Sequence, residues 1–127
     1  MSAGRPVAAT VVWSAVADVV LVLVFVLIGR GSHDEGLTLA GTASTAWPFI
    51  VGLAVGWVAM RAWRYPLCLR WTGVGIWVAT VVVGMLLRAL TGQGTAVSFV
   101  IVATIVLGVF LLGWRGIALL VRRRRRR

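Results

Sequence analysis

The chain has 127 residues, 61% of them hydrophobic and 13% charged, where soluble domains run at roughly 45 to 50% and about 25%. All thirteen basic residues are Arg, they face three acids, and the net charge of +10 in so apolar a chain speaks to topology before ligands. An ordinary soluble domain is excluded, and the single cysteine, Cys68, excludes an intramolecular disulfide or a Cys-based metal site in a monomer.

A transmembrane helix needs about 20 mostly apolar residues. Four segments qualify: 6–29, 46–63, 71–90 and 96–119. The first begins after Arg5 like a signal peptide, but its apolar run is too long and lacks a small-residue cleavage site, so it is expected to remain as a span. Asp18 lies inside this run, and "GRGSHDEG" follows it with Arg30, Ser32, His33, Asp34 and Glu35. Thr45 or Ser44 is the expected cap of the second span, with Pro48 in its first turn, and Gly52 and Gly56 form a GxxxG that permits close helix packing. "RAWRYPLCLR" breaks spans two and three; its Arg61 and Arg64 can snorkel while Trp63 and Tyr65 sit at headgroup level. "TGQGT", residues 91–95, reads as a tight turn, since it lacks the Lys and spacing of a P-loop, and Thr95 is the expected cap of span four. The segments predict an all-α integral membrane protein: a compact bundle of four transmembrane helices in two hairpins, one domain over 1–121, and a basic cytoplasmic tail over 122–127.

With the N-terminus inside, eleven arginines fall on the inner side and only Arg30 and Arg88 outside. Both termini are therefore expected in the cytoplasm of a bacterial cytoplasmic membrane. The Arg tail lacks interleaved aromatics and follows a span directly, so its expected partner is anionic lipid rather than nucleic acid, at about 1 kcal/mol per Arg. Trp13 to Arg30 and Trp71 to Arg88 are both 17 residues apart. That matches a two-hairpin repeat, although the positive-inside and aromatic-belt rules alone also generate it.

A carboxylate inside a span needs a partner. At about 1.5 Å per residue, Asp18 and Arg115 differ in depth by about 9 Å, and Asp18 and Arg88 by roughly 15 Å. Arg115 is the expected partner. The pair either fixes helix register, with Ser14 or Thr80 assisting, or forms a proton or cation site. At the outer end Arg30, His33 and Arg88 can form an anion site beside the positive ends of two helices, or pair with Asp34 and Glu35 as a cap on the bundle. No metal site or cofactor is expected, because one His with adjacent acids is a poor ligand set, and no catalytic set is visible around Ser32 or Ser98.

The segments AD at 17–18, IGRGSH at 28–33, EG at 35–36, PF at 48–49, GMLLR at 84–88, GQGTAVSFV at 92–100 and LGWR at 112–115 resemble a bacterial, notably actinobacterial, family of small four-helix membrane proteins with no assigned function. The resemblance spans about residues 14–116, implies fold and location, and carries no mechanism. From the residues themselves, small-solute or ion binding or transport is the leading expectation, through a homo-oligomer built on Gly52 and Gly56. An accessory subunit of a larger membrane complex is the alternative, and an enzyme acting on a lipid-borne substrate comes third.

Overall fold

The computed structural model describes residues 7–32 and 38–125. Its described elements are helical: α1 (Ala8–Ser32), α2 (Leu39–Met60), α3 (Val74–Leu90, entered through a π turn over Leu69–Gly73) and α4 (Val97–Arg125). Among the described residues four helices, counting the π turn with α3, are long and apolar enough to cross a membrane. Large apolar side chains such as Val12, Val20, Ile28, Val58, Leu86 and Ile105 stand exposed around all four helices. Water would penalise that surface, whereas hydrocarbon covers it without cost.

The helices depart most from the expected boundaries in three places. First, α2 begins seven residues before position 46. Thr38, rather than Thr45 or Ser44, caps it, its hydroxyl accepting from the Gly41 N–H at 3.0 Å. Residues 40–45 are small or hydroxyl-bearing and read as a loop, but a helix absorbs such groups: the Thr45 hydroxyl donates back to the Gly41 carbonyl at 3.1 Å. Pro48 consequently lies inside α2. It has no N–H for the Ser44 carbonyl four residues earlier, and that carbonyl instead accepts from the Gln93 side-chain amide at 3.3 Å. Second, α4 begins at Val97, so Ala96 rather than Thr95 holds the cap position, its carbonyl accepting from the Val100 N–H at 3.0 Å. Third, α4 runs on as helix through Arg122–Arg125, past the expected end of the span at position 119.

The tightest contact joins α2 to α3, between the two hairpins rather than within either. A Cβ at Gly52 would stand 2.9 Å from the Thr80 carbonyl oxygen, and one at Gly56 would stand 2.9 Å from the Ile76 Cα, so only glycine lets the backbones approach. The expected Gly52 and Gly56 face is thus used inside the chain, against α3, and is not presented to a second copy. Around this pair a core forms from Val22, Phe25, Val26, Phe49, Leu53, Ile76, Ala103, Leu107 and Leu111. Phe25 and Phe49 meet edge to face at 5.4 Å between ring centroids, a favoured aromatic arrangement. On α4, Gly108 receives the Trp77 ring, whose N–H donates to the Thr104 carbonyl at 2.9 Å.

Candidate functional site

Two polar assemblies sit toward opposite ends of this apolar bundle. The first is centred on Asp18 of α1 and Arg115 of α4, both 0% exposed. The guanidinium meets the carboxylate side-on, NH1 to Oδ1 at 2.8 Å and NH2 to Oδ2 at 2.6 Å. The Trp57 indole N–H donates to Oδ2 and the Trp114 indole N–H to Oδ1, each at 2.8 Å. Each carboxylate oxygen therefore accepts two hydrogen bonds, which fills its acceptor capacity. Arg115 is held from its other side: Nε donates to the Pro66 carbonyl at 2.9 Å and NH1 to the Leu111 carbonyl at 3.0 Å. Its guanidinium carbon lies 4.7 Å from the Trp114 ring centroid. The assembly links α1, α2, α4 and the α2–α3 connection at one point. It brings Asp18 to Arg115 and not to Arg88; the Thr80 hydroxyl donates to the Ile76 carbonyl at 2.7 Å rather than to the carboxylate.

Chemically, this centre is closed. A cation or a proton reaching Asp18 would have to displace a donor already in place, and the fork geometry of an Arg and carboxylate is strong because both bonds are charge-assisted. Removing one partner would leave the other charge buried, a penalty that keeps such pairs intact.

The second assembly is a cleft of about 490 Å³ where α1 and α3 end and α2 and α4 begin. Phe25, Val26, Gly29 and Arg30 line it from α1, Ser44 and Thr45 from α2, and Arg88 from the last turn of α3. Gln93, Gly94 and Ala96 close it from the connection, and Ser98, Phe99 and Val102 from α4. Arg30 and Arg88, the two arginines expected at the outer mouth, thus share one space. Arg30 donates from NH1 to the Thr45 hydroxyl at 2.9 Å. Arg88 donates from Nε to the Gly94 carbonyl and from NH1 to the Gln93 side-chain oxygen, both at 3.0 Å, and lies over the Phe99 ring at 4.3 Å. Gln93 in turn reaches the carbonyl released by Pro48, so the connection is tied to α2 through one side chain. Residues 91–92 form the turn expected in "TGQGT", with Gly92 at φ 75°. His33, Asp34 and Glu35 lie outside the described residues.

Reading the sequence alone misses Trp57, Trp114 and the Pro66 carbonyl at the first assembly, and Gln93 and Phe99 at the second. One signal was available: Trp114 lies within span four and Trp57 toward the end of span two, a buried indole N–H needs an acceptor, and Asp18 is the only acid in the four spans. Gln93 carried no such signal for its tie to α2, since the partner there is a backbone carbonyl freed by a proline 45 positions earlier.

No curated protein and no solved structure matches the chain. A family model matches residues 15–118, a stretch that contains the Asp18–Arg115 centre and the whole described lining of the cleft. The chain belongs to that family, DUF3054, whose members are described as proteins of unknown function.

Proposed function

We propose that this multi-pass membrane protein binds an anionic ligand between Arg30 and Arg88, at the outer face of a bacterial cytoplasmic membrane. The observation that carries the reading is the sharing of one cleft of about 490 Å³ by two guanidinium groups, with Ser44, Thr45 and Ser98 hydroxyls beside them. That volume falls in the range of small-molecule sites, about 300 to 1,000 Å³. The α4 N-terminus reinforces it, since first-turn N–H groups lack intrahelical acceptors and the dipole there favours an anion. The excess of arginine on the other side supports both termini facing the cytoplasm. Arg122–Arg127 would then lie against anionic headgroups of the inner leaflet.

Transport of the ligand needs a second opening, and the closed Asp18–Arg115 centre gives none in this conformation; binding is the part of the reading that the geometry favours. Any homo-oligomer would use surfaces other than Gly52 and Gly56. The test is thermal unfolding of the detergent-purified protein with inorganic phosphate, glycerol phosphate or phosphatidylglycerol. Binding to the folded state raises the midpoint, and at least one of these anions should do so in the wild type and not in Arg30→Gln. A midpoint indifferent to all three, or an equal rise in the variant, contradicts the reading.

A second reading, an accessory subunit of a larger membrane complex, is favoured by the saturated centre, which suits a protein that passes nothing through itself. Under it, mild detergent should release the protein within a larger particle at fixed stoichiometry, and the anions should do nothing.

A further inference from the structure

The shape of the cleft says more than its charge. On α4 the Thr104 and Gly108 flank is occupied by Trp77 of α3. Ser98 and Val102, one turn apart, lie on the flank away from it, toward α1. Both are exposed, Val102 at 54%, although both line the cleft. The cleft therefore opens sideways along the α1–α4 seam. On the α1 side, a Cβ at Gly29 would meet nothing within 4 Å.

Polarity changes along the depth of this opening. The rim carries Arg30 and Arg88, in the last turns of α1 and α3. Phe25 lies about 7.5 Å deeper than Arg30 along α1, and Val102 about 6 Å deeper than Ser98 along α4. Below the rim the walls are Phe25, Val26, Phe99 and Val102, without a polar side chain among them. A bare tetrahedral anion would engage the guanidinium groups and leave the apolar half empty. An amphiphile fills both halves: its anionic head at the rim, its chain in a seam that already faces hydrocarbon.

We infer that the ligand of this cleft is an anionic phospholipid, its headgroup phosphate between Arg30 and Arg88 and one acyl chain leaving along the α1–α4 seam past Gly29 and Val102. This rests on the anion-binding reading above and narrows it. A phosphate offers acceptors to both guanidinium groups at once, and chain burial against Phe25 and Phe99 adds apolar contact that a soluble anion lacks.

The experiment titrates delipidated protein in non-ionic detergent with short-chain phosphatidic acid, short-chain phosphatidylcholine and inorganic phosphate, reading apparent affinity from the unfolding midpoint. Phosphatidic acid should bind at least about tenfold more tightly than inorganic phosphate, and Arg30→Gln should lose about tenfold or more toward the lipid. Gly29→Leu and Val102→Trp obstruct the seam at positions with open space or exposure, so they should fold; each should weaken the lipid about tenfold and leave phosphate unchanged. If phosphate binds as tightly as the lipid, or both obstructing variants keep full lipid affinity, the lipid assignment is overturned and the anion site survives. If phosphatidylcholine matches phosphatidic acid and Arg30→Gln is silent, or no probe binds, both fall.

Discussion

Arg115 and the pair Arg30 and Arg88 place the same side chain in two different settings. Arg115 is fully buried, its fork is matched to one carboxylate, its remaining hydrogen bonds go to backbone carbonyls, and its guanidinium lies against the Trp114 ring. Arg30 and Arg88 stand in the last turns of their helices in the wall of a cleft, Arg88 itself 9% exposed, and their contacts include a hydroxyl, a carbonyl, an amide oxygen and an aromatic ring. A guanidinium neutralised by a dedicated counter-charge ties helices together. One set in the wall of a cavity near a helix end stands within reach of what enters that space. In a bilayer the first arrangement is what lets an ionised group sit at depth at all, while the second is tolerable only near the polar end of a span, where both arginines lie.

The largest expected effect separates these settings. Asp18→Asn leaves Arg115 buried without its counter-charge and should cost about 3 to 5 kcal/mol in reversible unfolding. Arg30→Gln, which gives up a hydrogen bond to Thr45, should cost about 0.5 to 1.5 kcal/mol. Equal costs would break the comparison. Exchanging the two charges is not expected to restore stability, because the Trp57 and Trp114 N–H groups would then meet a guanidinium instead of an acceptor. Trp57→Phe keeps the ring and deletes one donor to the carboxylate, and chemical unfolding should register a loss of about 1.5 to 3 kcal/mol. Gly52→Ala drives a Cβ into the Thr80 backbone and should cost about 1 to 3 kcal/mol by parting α2 from α3. The smallest effect is a gain: Arg61 sits at the end of α2 with φ 51°, and Arg61→Gly should raise stability by about 1 kcal/mol on the same scale.

How much of this was legible depends on whether the physics is local. The four spans are legible because hydrocarbon demands long apolar runs, and the Asp18–Arg115 pair because a charge in a span demands a partner at reachable depth. The start of α2 was not: Gly41, Thr42, Ser44 and Thr45 carry loop composition, and only an intrahelical acceptor such as the Gly41 carbonyl reconciles them with a helix. The GxxxG pair was legible as a packing face, but which helix it meets depends on the azimuth of α3. At the cleft, Arg30 and Arg88 follow from counting charges. The tie from Gln93 to α2 does not, since it exists only after Pro48 has released a carbonyl on another helix.

The contrast between a closed centre and an open cleft is tested most directly by thiol accessibility in a Cys68→Ser background. Gly29→Cys and Ser98→Cys report the cleft, while Ser14→Cys and Val22→Cys bracket Asp18 by one helical turn on either side. The expected result is labelling of positions 29 and 98 by a membrane-impermeant reagent from one side only, with positions 14 and 22, both buried, protected from both sides. Labelling of position 14 or 22 as fast as position 98 would mean that water reaches the carboxylate, and would contradict a sealed, structural Asp18–Arg115 pair.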